Sequence, residues 1–213
     1  MRWLWALLLL AWSTFSLRAQ TLAAGVKGGV RLTDDLDTYW ATSESKRYAV
    51  GPMVTVGFGH GFSVEVDALY RRVGYRTLNS DILGGSTTSR ARGNSWEFPM
   101  VLRKRFVGPF YGIAGYAPRM IHGSEHTDVL QVVALDPRLM THVEFDFPGL
   151  WDTTHGIVAG GGMERRIGRL RIAPEVRYVF WNKPAVEEYG SRGFAIVSSQ
   201  HQVDVMIGIL WGR

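Results

Sequence analysis

Glu65 and Asp67 lie two residues apart in the stretch FSVEVDALYRR, 62–72. On an extended strand, residues i and i+2 project from the same face. The two carboxylates would therefore stand side by side, as an acid pair or as oxygen ligands for a hard cation. Arg71 shares their parity, and more cations recur on other stretches, so internal ion pairing is the stronger reading. A second candidate is His122-Gly123-Ser124-Glu125-His126, which holds the residue types of a nucleophile, a base and an orienting acid. Adjacency in sequence does not make triad geometry, and the run reads as the opening of a polar loop. His60, His142, His155 and His201 are scattered without ligand spacing, so no metal and no cofactor is expected. Gly160, Gly161 and Gly162 follow an apolar run but open no helix. They suit a strand beside bulky neighbours better than a phosphate cradle.

The elements that must carry these side chains are strands. Apolar and polar residues alternate over 22–32, 47–59, 62–75, 96–106, 110–120, 155–166, 170–181 and 201–212. No stretch keeps a helical period. The connections run long, short, long, short, long, short, long: TDDLDTYWATSESK, Gly59-His60-Gly61, 76–95, Val107-Gly108-Pro109, 121–154, Ile167–Arg169 and 182–200. Within 121–154, the segments 129–134 and 141–147 suggest a hairpin joined through LDPRLM. An even number of strands with long loops at one rim predicts an all-β, eight-stranded antiparallel up-and-down transmembrane barrel. Its long loops would be external and its short turns periplasmic.

Strand parity sorts the charges. Lys27, Arg31, Arg71, Arg103, Arg105, Arg171 and Arg177 share faces with Glu65, Asp67, Glu97, Glu175 and Asp204, and Glu164 is a further candidate acid. The opposite faces are apolar, as in Trp96, Phe98, Met100 and Leu102 or Val203, Val205, Ile207 and Ile209. The parity of the fifth and sixth stretches is ambiguous because of their glycines. In a bilayer, each mid-membrane Arg or Lys on the lipid face would cost roughly 2–4 kcal/mol. Several together would exceed a typical total stability of about 5–15 kcal/mol. The charged face of a membrane barrel must therefore be the lumen, where near-balanced signs would form a closed plug. A secreted, soluble, lipocalin-like barrel has the same arithmetic with its sides reversed, its apolar face lining a cavity for a small hydrophobic ligand. Bulky residues along the apolar face and small ones on the charged face favour the membrane version. Tyr48, Tyr70, Trp96, Tyr178, Phe180, Trp181 and Trp211 lie toward strand ends, where interfacial girdles belong. Lys46, Arg47, Arg72, Arg76, Arg90 and Arg92, with Arg119 and Lys183, are expected at or above the long-loop rim, either facing lipopolysaccharide phosphates or as ordinary solvated surface charge.

The first 19 residues read as a secretory signal peptide: Arg2, an apolar run from Trp3 to Trp12, and a cleavage region ending at Ala19. Residues 20–213 then form one domain. The 213-residue chain contains no cysteine, so an exported form would depend on a core or on sheet closure rather than on disulfides. A formal charge of +5 without a basic cluster gives no case for nucleic-acid binding.

GVKGGVRLTD at 25–34, GYAPRM at 115–120, IVAGGGMERRIG at 157–168 and PEVRY at 174–178 together resemble the outer-membrane β-barrel domain family of bacteria. The resemblance spans 20–213 and implies a small exported eight-stranded barrel with a porin-like or structural role. It implies no catalytic residues. Its expected partners are outer-membrane lipids, including lipopolysaccharide, and the barrel-assembly machinery. The sequence departs from the pattern at Trp211-Gly212-Arg213, where a terminal aromatic would stand. The functions expected are a structural or surface-interacting barrel or a narrow porin. A soluble ligand carrier is the alternative, and a lipid-modifying enzyme comes third.

Overall fold

A computed structural model describes residues 21–33, 41–80, 86–132, 140–183, 187–189, 195–197 and 199–212. The expected signal peptide lies outside the described residues. Eight strands make the barrel: β1 (Thr21–Arg31), β2 (Tyr48–Gly59), β3 (Phe62–Asp67, resuming as Leu69–Ser80), β4 (Ser86–Glu97, resuming as Met100–Arg105), β5 (Phe110–Val132), β6 (Met140–Met163), β7 (Leu170–Trp181) and β8 (His201–Gly212). Each pairs antiparallel with the next in sequence. β8 returns to β1, with Ala23 opposite Gly212 and Arg31 opposite Asp204. The sheet is therefore closed, and closure removes the unpaired edges an open sheet would present. The described residues contain no helix.

The short connections form tight left-handed turns. Gly59, His60 and Gly61 have φ of 91°, 53° and 77°, Gly108 has 69° and Gly168 has 62°. Glycine takes such angles without a Cβ penalty. At the other rim, Ala41–Ser43 folds back onto β3, and Glu187–Tyr189 pairs with Ala195–Val197.

One expected loop is in fact strand. The segment 76–95 contributes to β3 and β4, which stay paired up to Ser80 opposite Ser86. Its Ser, Thr and Arg residues show no apolar alternation because both faces of this extension are polar. The hairpin expected at 129–134 and 141–147 is present where it is described: it continues β5 and β6, which stay paired to Val132 opposite Met140, with one register shift between Gly123 and Ser124. A strand with two polar faces carries no half-buried alternation.

Prolines notch the ladder without shifting it. Pro52, Pro99 and Pro118 offer no N–H, and β3 and β4 pause beside them at Ala68 and at Phe98-Pro99. The Asp67 N–H donates to the Pro99 carbonyl, Ala68 to Pro52 and Phe98 to Pro118, all at 2.9–3.0 Å. Val66 opposes Met100 before the gap and Leu69 opposes Glu97 after it, so register and face are kept. At this notch a Cβ on Gly51 would lie 1.7 Å from the Ala68 carbonyl oxygen, whereas one on Gly28 would meet nothing closer than 3.6 Å. Gly51→Ala is predicted to destabilise the barrel by about 1–3 kcal/mol through overpacking, and Gly28→Ala by far less. Urea unfolding in lipid vesicles, read by tryptophan fluorescence, checks the contrast.

Candidate functional site

Inward and outward faces are now separable on every strand. Glu65, Asp67, Arg71 and Arg177 are each 1% exposed, whereas Val66, Val176 and Ile207 are 44%, 53% and 50% exposed. The glycine-rich strands follow suit. Tyr111, Ile113, Ala117, Arg119 and Ile121 of β5 point inward, as do Thr154 and Val158 of β6, while Tyr116, Met120 and Ile157 point outward.

The centre of the lumen holds two cations among three carboxylates. The Lys27 ammonium pairs with Glu65 and lies 3.4 Å from both Asp67 and Glu175. The Arg177 guanidinium contacts the same three acids, Glu175 at 2.8 Å, Asp67 at 3.0 Å and Glu65 at 3.3 Å. Glu65 and Asp67 are on β3 and Arg177 on β7, four strands away around an eight-stranded wall, so these bonds cross the full lumen. The Tyr111 hydroxyl donates to Glu175 at 3.2 Å. The acid pair of 65 and 67 is thus enclosed by cations.

Toward the long-loop rim lies a second layer. Arg71 reaches Asp204 at 3.2 Å and Glu97 at 3.9 Å, and Arg31 reaches Glu97 at 3.3 Å. Gln202 joins the groups: it accepts from Arg31 and from the Trp181 indole N–H at 2.6 and 2.9 Å, and donates to Glu97 at 3.2 Å. Arg119 stacks on Trp181, 3.8 Å from the ring centroid, and donates to Thr154 at 2.9 Å. Toward the short turns a third layer centres on Glu164, which takes Arg103 at 2.7 Å, Arg105 at 2.6 Å and, more distantly, Arg171 at 3.9 Å. Arg103 also covers the Tyr111 ring at 3.4 Å and reaches Glu65 at 3.5 Å.

Three placements differ from the sequence reading. Arg119, expected at the rim, is buried in the lumen, because Pro118 and the glycines around it hid the parity of β5. Trp181, assigned to the girdle, is buried too; it shares the odd parity of Glu175 and Arg177, a signal that terminal position overrode. Arg105, expected inside, is half exposed at the mouth. Gln202, Trp181, Thr154 and Tyr111 are the network members that a search for charges alone missed.

The outer wall changes character along its height. Tyr70 and Trp96 pack with ring centroids 5.3 Å apart, Phe98 stacks on Trp96 at 6.3 Å, and the Tyr70 hydroxyl donates to Asn94 at 2.7 Å. Tyr178 stacks on His201, and Tyr116 on His155, along the same outer face. Arg72 lies two residues beyond Tyr70, a rise of roughly 7 Å. Arg76 stands directly opposite Arg90, with Arg92 two residues further along β4. All four arginines are exposed, as are Lys46, Arg47 and Lys183. Glu44 is the acid set among them, 2.6 Å from Arg90 and 3.7 Å from Arg92.

The side chains of Ser124, Glu125 and His126 lie outside the described residues; the backbone there is strand rather than the loop expected. The described residues contain no cluster of metal-ligating side chains. The soluble alternative is reversed by the structure: the charges face in, and the bulky apolar residues face out.

Fold and site together define a closed eight-stranded antiparallel barrel with a charged core and an apolar wall, the make-up of a membrane-spanning barrel. No family model and no curated protein matches the chain. Among solved structures it is similar to Ail, the attachment invasion locus protein of Yersinia pestis, in complex with the heparin analogue sucrose octasulfate. That likeness has 9% identity and a TM-score of 0.43, covering 91% of this chain and 97% of the other. Neisserial surface protein A gives 9% and 0.36, covering 91% and 99%. The barrel assignment rests on the closed ladder, not on these distant likenesses.

Removing one partner from a buried cluster leaves the others uncompensated, at about 3–5 kcal/mol. Arg177→Met should therefore destabilise by that order, and adding Asp67→Leu should recover part of the loss, as a double-mutant cycle in urea would read. At the rim, the hydrogen bond from Arg90 is the leading cause that lowers the Glu44 pKa from its ordinary 4.5. The contribution of this pair is present above the unfolded value and fades as pH falls through the depressed one. A carboxyl NMR titration should place the Glu44 midpoint below 4.5, and Arg90→Gln should return it toward 4.5.

Proposed function

We propose that the protein is an integral outer-membrane barrel with a closed lumen, acting structurally or at the cell surface through its long-loop end. The observation that carries this reading is the ion-paired interior enclosed by an apolar wall. Eight strands leave an interior just wide enough for side chains to fill. Here Lys27, Arg31, Arg71, Arg103, Arg119 and Arg177 meet Glu65, Asp67, Glu97, Glu175 and Asp204 within it. Paired long side chains of both signs obstruct a column of water, which argues against a porin.

Lipid partners follow from the wall. The aromatic and histidine pairs sit where acyl chains give way to headgroups, and Lys46, Arg72, Arg76, Arg90 and Arg92 stand beyond them in a row. Guanidinium groups take phosphate oxygens in forked hydrogen bonds, so the phosphates of lipopolysaccharide suit this rim. An apolar exterior of this kind also calls for the barrel-assembly machinery during insertion.

On fractionation the protein should stay with outer membranes until detergent is added and should show a heat-dependent gel shift; release as a soluble periplasmic protein would overturn the reading. In planar bilayers the refolded barrel should give no conductance steps above background, and stable large channels would refute the closed lumen.

A further inference from the structure

We propose that Glu44 is the internal occupant of a phosphate site formed by Arg76, Arg90 and Arg92, and that a phosphomonoester on a sugar headgroup takes its place. The inference rests on the reading that the long-loop rim meets the phosphates of lipopolysaccharide. It adds which residues form the site, what holds it closed and which phosphate opens it.

Strand register brings the site together. Arg76 of β3 stands directly opposite Arg90 of β4, and Gly74 stands opposite Arg92. Like charges directly opposed on one face destabilise a sheet unless an anion joins them. Glu44 is such an anion. Its carboxylate lies 2.6 Å from the Arg90 Nε and 3.7 Å from the Arg92 Nε. Between Glu44 and Arg92 lies Gly74, which has no side chain to block the reach. The hydrogen bond from Arg90, and then the charges of Arg90, Arg92 and Arg76, hold the Glu44 carboxyl below its ordinary value. All three arginines therefore act on this one group.

The backbone on both sides of Glu44 is tied to β3. Ala41–Ser43 pairs with Tyr75–Thr77. The Glu44 N–H donates to the Gly74 carbonyl and the Lys46 N–H to the Arg72 carbonyl, both at 2.9 Å. The Ser45 hydroxyl donates to the Gly74 carbonyl at 3.2 Å and accepts from the Gly74 N–H at 3.0 Å. A carboxylate on so short a tether competes at an effective concentration on the order of millimolar or above. An incoming carboxylate would only exchange like for like. A phosphomonoester carries about two negative charges and three acceptor oxygens, which match more than one guanidinium fork.

Height along the wall identifies the headgroup. Gly74 is four residues beyond Tyr70, roughly 13 Å along the strand, and Arg76 is two residues further. The phosphodiester of a glycerophospholipid lies at the interface that Tyr70 and Trp96 mark. A phosphate reaching Arg90 and Arg92 stands above that level, as one carried on a sugar does.

The test is titration of lipid A, whose phosphates are monoesters on a sugar, into the folded barrel in maltoside micelles. Phosphatidylglycerol, a phosphodiester, is titrated in parallel. Binding is read by calorimetry and by the Glu44 carboxyl resonance, with the heat-dependent gel shift certifying the fold of each variant. Lipid A should bind saturably and move the Glu44 resonance toward its position in Arg90→Gln. Phosphatidylglycerol should bind about tenfold more weakly, and Arg90→Gln should weaken lipid A by a similar factor, that of one hydrogen bond to a charged group. Glu44→Gln should tighten both lipids by the same factor, about fivefold, the upper range for an exposed ion pair. A merely structural Glu44 would not produce that direction. Arg169→Gln, in a turn at the other end of the barrel, should change nothing. Absence of lipid A binding even by Glu44→Gln would remove the rim reading and this inference with it. Saturable lipid A binding that leaves the Glu44 resonance in place, or that Glu44→Gln fails to tighten, would overturn the internal occupant alone. Phosphatidylglycerol binding as tightly as lipid A would overturn the choice of headgroup.

Discussion

The structure depends on one electrostatic constraint: charged groups withdrawn from water must meet opposite charges at close range. Among the described residues, six buried cations and five buried acids share the interior of this barrel. An isolated buried charge is costly, and a buried pair is close to neutral only when its geometry is good. The central cluster meets that demand by convergence, because Lys27 and Arg177 contact the same three carboxylates from β1 and β7. Since Glu65 and Asp67 hang from β3, the contacts cannot form until strands from both halves of the barrel are in place. They therefore act as a check on closure and register together. A one-residue slip of any charged strand would send its charges into lipid.

The small residues follow from that interior. Lys27 and Arg177 need room to cross the lumen, and Gly208 provides it: a Cβ there would meet the end of Met53 and approach the Lys27 stem. Tyr111, Met53, Val158 and Trp181 fill the remaining space and cover the charged stems. Outside, the same strands need only an apolar surface, which tolerates prolines at positions where the ladder can be notched without changing register. The two faces thus obey different rules, one of specific pairing and one of bulk hydrophobicity. That difference explains why an internal network can be precise while the outer wall is chemically plain.

Much of this was legible in the sequence, because alternation with a period of two separates faces wherever both carry distinctive residues. FSVEVDALYRR shows it: Val64 and Val66 face out, and Glu65, Asp67, Leu69 and Arg71 face in. The pattern fails where one face carries glycine, so Arg119 could not be assigned from its neighbours. It fails again above the membrane, where Arg76, Thr88 and Arg90 belong to strands whose two faces are both polar. Position along a strand misled at Trp181, since a ring near an end suits a girdle as well as a lumen; parity with Arg177 was the better guide. Pairing partners across the barrel were not legible at all. They depend on stagger between strands, which the composition of a single strand does not encode.

Direct measurement of which face meets lipid tests the account most sharply. The chain has no cysteine, so single cysteines can carry spin labels without background. Labels at Val66, Val176 and Ile207 should collide readily with oxygen and poorly with a water-soluble nickel complex in reconstituted vesicles. Such a pattern places the apolar face in the bilayer and leaves the lumen to the ion pairs. The opposite pattern at all three positions, open to nickel and poor in oxygen, would contradict the membrane barrel and its charged core.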